Sequence, residues 1–228
     1  MDSSKETLTI AIPKGTLYKP SLNLLEKAGF NTEELAKDSR QLFFSVGSDN
    51  VRYIICRPTD IPTFVEYGAA DLGIAGKDTL VEQGKDVYEL LDLKYGFCRF
   101  VVAAPASSVQ KNTGLAGLVL ENRSHARVAT KFPRVAEEFF RSQGMQAEII
   151  KLHGNIELAP LVGLADMIVD IVSSGRTLRE NNLVELVDVM NSTARLIANR
   201  VNRQFKADRI NRLVESFASL IEAGNLDG

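Results

Sequence analysis

Apolar residues along this chain fall in short blocks separated by turns rich in Gly, Pro and Asp, and the blocks alternate between two kinds. Compact runs such as Leu8–Ile12 (LTIAI), Arg127–Thr130 (RVAT) and Met167–Val172 (MIVDIV) read as strands, the last so uniformly apolar that both its faces should be covered. Leu17–Ala28 and Arg134–Gln143 read as helices, stopped by Gly29 and Gly144. Strand followed by helix, repeated along the chain, predicts an α/β protein with mainly parallel sheets.

The layout occurs twice. Leu8–Ile12, the loop Pro13-Lys14-Gly15 and a helix are echoed by Arg127–Thr130, the loop Lys131-Phe132-Pro133 and a helix. A second echo follows: Asp60–Leu80 runs capped helix, Gly-x-Ala-Asp turn at Gly68–Asp71, short strand, glycine loop. Asn155–Leu178 has the same order, with Gly163–Asp166 as the turn. Two matches in the same order predict two similar lobes around a cleft, an architecture that by itself carries no function.

Between the echoes, the segment from Gln41 to Pro58 reads as a β-hairpin turning at Ser48-Asp49-Asn50, and Phe97–Pro105 as the crossover into the second lobe. Leu183–Met190 and Arg195–Arg200 read as strands returning to the first lobe. The expected division is residues 1–98 plus 181–204 for lobe 1, 99–180 for lobe 2, and a C-terminal helix over 205–228. That helix is amphipathic, with Ile210, Leu213, Val214, Phe217, Leu220 and Ile221 on one side.

Length and charge narrow the classes. A chain of 228 residues can bury a sizeable core, and a formal net charge of -2 argues against bulk electrostatic nucleic-acid binding. The N-terminal MDSSKETLTIAIPKG lacks a signal-peptide pattern, and no apolar run is long enough to span a bilayer, so a soluble cytoplasmic protein without membrane or nucleic-acid partners is expected. Cys56 and Cys98 have no metal-like spacing and read as buried free thiols. His125 and His153 have no spaced partner suggestive of a metal site.

The chemistry concentrates in Met167–Asn181, MIVDIVSSGRTLREN. A buried strand ends in Asp170, and Ser173, Ser174, Gly175, Arg176 and Thr177 then place hydroxyls and free N–H groups where a helix opens near Leu178. Such N–H groups lack internal partners and suit an anion. A carboxylate that accepts hydrogen bonds from sugar hydroxyls, next to a phosphate loop, points to a ribose 5-phosphate. The plainer alternative is a helix cap beside a polar interruption of the strand; Arg176 favours the phosphosugar. The loop is similar to that of phosphoribosyltransferases, although those commonly carry two adjacent acids and here Val169 precedes Asp170.

Glu157, Gly163, Ala165, Ile168, Asp170, Ile171, Ser174, Gly175, Thr177 and Leu178 reproduce a spaced signature. Together with IAIPKG (Ile10–Gly15), Arg57–Asp78, Arg127–Phe140 and KLHGNIELAP (Lys151–Pro160), they make the chain resemble the ATP phosphoribosyltransferase family, from about Ile10 to Arg200. The resemblance implies a fold like type II periplasmic binding proteins. It also implies the first step of histidine biosynthesis: adenine N1 of ATP displaces pyrophosphate from C1 of phosphoribosyl pyrophosphate. The chain resembles the short form, which lacks the C-terminal regulatory domain. Its partners would be a second copy and a regulatory chain related to histidyl-tRNA synthetase, in a hetero-oligomer.

For the site, the resemblance implies Ser173–Thr177 on the 5-phosphate, Asp170 on the ribose hydroxyls and Glu157 near the ribose or its developing cation. Lys14 and Arg57 would meet pyrophosphate or ATP phosphates, the alternatives being a solvated lysine and a surface ion pair. Gly15, Asp71 and Gly76 would line the first-lobe loops, although Asp71 serves equally well as a turn cap. Mg²⁺ would ride on substrate phosphates, with no metal ligands from the chain. Thr16 stands where the family often has arginine, which leaves that phosphate contact to Lys14, Lys19 or Arg57. A two-lobed binding module without chemistry, and a catalytically poor subunit, are the competing classes.

Overall fold

In a computed structural model, which describes residues 7–37, 40–47, 50–109, 115, 126–172 and 175–224, the chain divides into two compact units. In chain order the described elements begin with β1 (Leu8–Pro13), α1 (Tyr18–Lys27), α2 (Glu33–Ala36), β2 (Phe43–Val46), β3 (Val51–Cys56) and α3 (Ile61–Glu66). They continue with β4 (Leu72–Gly76), α4 (Lys77–Gln83), β5 (Tyr88–Asp92), β6 (Cys98–Pro105), β7 (Ala126–Thr130) and α5 (Pro133–Ser142). The remainder are β8 (Ala147–Lys151), α6 (Leu158–Leu161), β9 (Met167–Val172), α7 (Arg176–Glu180), β10 (Leu183–Ser192), β11 (Ala194–Ala198), α8 (Asn202–Phe205) and α9 (Ala207–Glu222).

Unit 1 comprises residues 1–96 and 193–228, and its sheet runs β2-β3-β1-β4-β11-β5. β1 lies parallel to both β3 and β4, while β2, β11 and β5 pair antiparallel. The two central strands carry buried apolar side chains because helices cover both faces. On one face Leu8, Ile10, Ile12, Tyr53, Ile74 and Leu196 pack with Leu24 and Leu25 of α1 and with Ile210, Leu213 and Phe217 of α9. The C-terminal amphipathic stripe is thus core of unit 1, and each such side chain contributes about 2 kcal/mol by burial. On the other face α3 comes close to β4: a Cβ on Gly73 would meet Ile61 and Val65 methyls at 2.6 and 2.8 Å.

Unit 2 spans residues 97–192, with strand order β10-β6-β9-β7-β8. β7 is parallel to β8 and β9, and β6 is antiparallel to both β9 and β10. Both sheets are therefore mixed: the expected parallel pairing holds around β1 and β7, and antiparallel strands complete both edges of the first sheet and the β6–β10 edge of the second.

The repeated Gly-x-Ala-Asp turn has one physical explanation in both units. Gly68 and Gly163 each take φ +73°, ending α3 and the α6 turn in the left-handed region that favours glycine. Ala70 and Ala165 are buried beneath the turn. The Asp71 N–H then donates to Thr9 O at 2.8 Å, while its Oδ2 accepts from Thr9 N–H at 2.7 Å. Asp166 repeats this on Arg127, at 2.9 and 2.8 Å. Each aspartate pins the start of a strand to the strand parallel to it.

One expectation is corrected. Of the two strands expected to return to lobe 1, only β11 does so; β10 pairs along β6 in the second sheet, from Leu183 opposite Pro105 to Ser192 opposite Cys98. β10 is an edge strand with only its first and last residues buried, so its hydrophobic pattern carries little information on which sheet it joins. The hairpin forms as expected between β2 and β3, with Asn50 at φ +55°; Ser48 and Asp49 lie outside the described residues.

Candidate active site

In unit 2 the carboxyl ends of β7, β8 and β9 share one edge, because the three strands are parallel. β9 has a parallel neighbour on one side and antiparallel β6 on the other. A cavity of about 110 Å³ opens at its end, lined by Glu157, Asp170, Val172, Gly175, Arg176 and Thr177 among others. Ser173 and Ser174 lie outside the described residues.

Asp170 is half-buried, and the Ile171 N–H donates to its Oδ1 at 2.8 Å. Burial raises its pKa above the ordinary carboxylate value, and the negative charge of Glu157 adds to the rise. The Ile171 N–H and the positive charge of Lys131 pull the other way. Lys131 follows β7 in the loop that mirrors Lys14, so cation and two carboxylates act on one another at this edge. A carboxylate in such a partly desolvated place interacts more strongly with any developing positive charge than it would in water.

Gly175 takes φ +66° to turn the chain into α7. That helix is only five residues long, so its free N–H groups matter more than any macrodipole. Arg176 stands on the cavity wall but pairs with Glu180 at 2.7 Å on an exposed face.

In unit 1 the carboxyl ends of β1, β3 and β4 likewise share an edge. Lys14 and Arg57 directly follow the paired residues Pro13 and Cys56, and the Lys14 N–H donates to Cys56 O at 2.9 Å. Gly15, at φ +85°, and Gly76, which ends β4, belong to the same edge. A cavity of about 650 Å³ opens here, lined by Lys14, Gly15, Tyr18, Lys37, Arg40 and Phe44 among others. A lining that combines cations with aromatic and aliphatic surface can accept a polyphosphate joined to a flat base. Lys37 and Arg40 were not singled out by sequence reasoning; they lie in the polar stretch before the hairpin, where nothing in the local pattern marks a cavity wall. Burial first, and Asp60 second, push the half-buried Cys56 thiol up to about 11 against the opposing pull of Lys14, which disfavours its thiolate form.

Asp71 is corrected. It precedes β4, at the end of that strand opposite Gly76, and is 2 % exposed. Its carboxylate is committed to Thr9 N–H and to the Lys206 ammonium at 2.7 Å. Of its two readings, the turn cap is the one the structure supports. His153 is exposed beyond β8, and His125 lies outside the described residues.

A family model described as HisG, ATP phosphoribosyltransferase, matches residues 57–219, which include the β9 edge and both Gly-x-Ala-Asp turns. The chain belongs to the ATP phosphoribosyltransferase family. It is 57 % identical over 218 residues to the ATP phosphoribosyltransferase of Desulfitobacterium hafniense strain Y51, covering 96 % of this chain and 98 % of that one. Among solved structures it is similar to a chain of the ATP phosphoribosyl transferase (HisG:HisZ) complex from Thermotoga maritima, with TM-score 0.77, 31 % identity and coverage of 95 % and 100 %. At the level of fold alone it is similar to a histidine kinase sensor domain related to periplasmic binding proteins, with TM-score 0.57, 13 % identity and coverage of 98 % and 93 %. The family's fold is therefore the two-lobed one expected from the internal echo.

Proposed function

We infer that this chain catalyses the reaction of its family: adenine N1 of ATP attacks C1 of 5-phosphoribosyl 1-pyrophosphate, the C1–oxygen bond to pyrophosphate breaks, and phosphoribosyl-ATP and pyrophosphate leave. This is the first step of histidine biosynthesis. The observation that carries the reading is the cavity that sets the half-buried carboxylate of Asp170 beside Gly175 and Thr177, in a chain of this family.

In this reading Ser173–Thr177 hold the 5-phosphate through N–H groups and hydroxyls, and Asp170 accepts hydrogen bonds from the ribose hydroxyls. Holding phosphate and diol at once fixes C1 for in-line displacement, which converts binding into orientation. As the bond to pyrophosphate lengthens, C1 and the ring oxygen gain positive charge. Asp170 and Glu157 oppose that charge from the cavity wall. Negative charge grows on the leaving pyrophosphate, and Lys14, Arg57, Lys37 and Arg40 are the cations we assign to pyrophosphate and ATP phosphates. Gly15 and Gly76 let the backbone approach them.

We place Mg²⁺ on the phosphate oxygens of the substrates rather than on the chain, hard oxygen donors being the ligands this cation prefers. The similar Thermotoga maritima chain comes from a HisG:HisZ complex. A homodimer joined to a HisZ-like chain related to histidyl-tRNA synthetase is the assembly we assign here, in the cytoplasm. Among the described residues no helix is long and apolar enough to cross a membrane.

The test is to mix the purified chain with ATP, phosphoribosyl pyrophosphate, Mg²⁺ and pyrophosphatase, and to follow the ultraviolet absorbance of phosphoribosyl-ATP with and without a HisZ-like chain. Product is expected in the presence of the partner. Its absence under both conditions would leave a binding module without chemistry.

A further inference from the structure

We propose that Arg99 is a positioning residue for the phosphate loop, acting through Glu185. The proposal rests on the reading above, in which Gly175–Thr177 are among the residues that hold the 5-phosphate. Arg99 lies on β6 opposite Val172, the last residue of β9, and opposite Asn191 of β10. It therefore stands at the strand end from which the loop departs. Its Nη2 donates to Glu185 Oε2 and its Nη1 to Asp188 Oδ1, both at 2.6 Å.

The other oxygen of Glu185 faces the loop. A Cβ built on Gly175 would lie 3.0 Å from Glu185 Oε1 and 3.1 Å from Arg179 Nη1. A carboxylate and, at nearly the same distance, the Arg179 guanidinium thus stand against the residue that turns the chain into the proposed phosphate site. Left unpaired, the carboxylate charge would repel the phosphate dianion. Arg99 offsets part of it and locks the side chain in one orientation, because the guanidinium fork bridges two β10 carboxylates. Arg99 and Glu185 are about one-third exposed, at 31 and 33 %, whereas Asp188 is 65 % exposed, so water and salt screen its pairing with Arg99 more strongly. Asp188 anchors the far arm of the fork, and Glu185 passes the effect to the loop.

The test measures binding of Mg²⁺-phosphoribosyl pyrophosphate and, separately, of Mg²⁺-ATP by calorimetry to the parent chain, R99Q, E185Q and R99Q/E185Q. Circular dichroism and melting confirm that each variant is folded. R99Q is expected to lose about tenfold or more in phosphoribosyl pyrophosphate affinity, equivalent to about 1.4 kcal/mol. The loss should shrink as ionic strength rises, because the exposed charge is screened. E185Q should bind at least as tightly as the parent, and the double variant should recover to within about threefold of it. ATP affinity should not move.

R99Q within twofold of the parent, or a double variant as weak as R99Q, would overturn the proposal. If R99Q does not fold, E185Q decides alone: a tenfold loss there would make Glu185 itself the required group and refute the charge argument. Failure of the parent to bind phosphoribosyl pyrophosphate while binding ATP would instead remove the loop assignment, and the proposal with it.

Discussion

Lys206→Met removes the ammonium that neutralises Asp71 and should show that this aspartate serves the fold. The Asp71 side chain is 3 % exposed and Lys206 is 22 % exposed, 2.7 Å apart. Lys206 also donates to Thr7 O at 2.7 Å, tying the chain just before α9 to the chain just before β1. Without the amine, a buried carboxylate keeps the Thr9 N–H but no countercharge. Breaking a buried pair from one side costs about 3–5 kcal/mol, and partial hydration of the lysine puts this case near the lower end. The equivalent aspartate in unit 2 supplies an internal control. Asp166 and Arg127 are 31 and 41 % exposed and 3.8 Å apart, so Arg127→Met should cost about 1 kcal/mol or less. Urea and thermal unfolding followed by circular dichroism are the assays, with the melting temperature falling roughly 6–12 °C for Lys206→Met. KM values for both substrates should stay within about twofold, since no reacting group is assigned at that end of β4. Equal, small losses for the two variants would refute the burial argument. A large KM change in a fully folded Lys206→Met chain would return Asp71 to the active site.

Asp170→Asn should separate stability from function. Burial raises the Asp170 pKa in the folded chain, so its contribution to stability is fully present below the ordinary carboxylate pKa and is lost as pH rises through the raised value. At neutral pH the ionised group is a net cost, and the asparagine variant should unfold at higher denaturant than the parent, while losing at least about tenfold in kcat/KM for phosphoribosyl pyrophosphate. An unchanged kcat/KM would remove Asp170 from the site. Arg40→Met should raise the KM for ATP by about tenfold, the loss of one charge-assisted phosphate contact, with phosphoribosyl pyrophosphate binding unaltered. An ATP KM within twofold of the parent would detach the larger cavity from the nucleotide.

The site follows a division of labour that the fold makes available. Parallel strands bring their carboxyl ends to one edge, so residues distant in sequence converge there: Lys131 after β7, His153 after β8, Asp170 near the end of β9 and Gly175 to Thr177 beyond it. The opposite edge is closed by the Gly-x-Ala-Asp turns, whose polar groups are spent on backbone N–H and carbonyl groups. Aspartates at the two edges thus have opposite fates. Asp71 is held by an ammonium and an N–H in the core, whereas Asp170 opens onto a cavity.

Local pattern alone determined the strands around β1, β7 and β9, the helices stopped by glycine, the two-lobe echo, the amphipathic α9 and the helix opening at Gly175 after β9. Each depends on residues a few positions apart, and side-chain periodicity and φ requirements act at that range. The allegiance of β10 was decided only by the tertiary structure, because an edge strand with few buried residues has no pattern to name its partner. The ion pairs of Arg99 with Glu185 and Asp188, 86 and 89 residues away, run along that pairing. The same holds for Asp71, whose role turns on Lys206 135 residues later, and for Lys37 and Arg40, which reach a cavity only because α2 and the hairpin fold beside β1. Charge partners are set by proximity in space, and proximity between distant segments exists only once the sheets have formed.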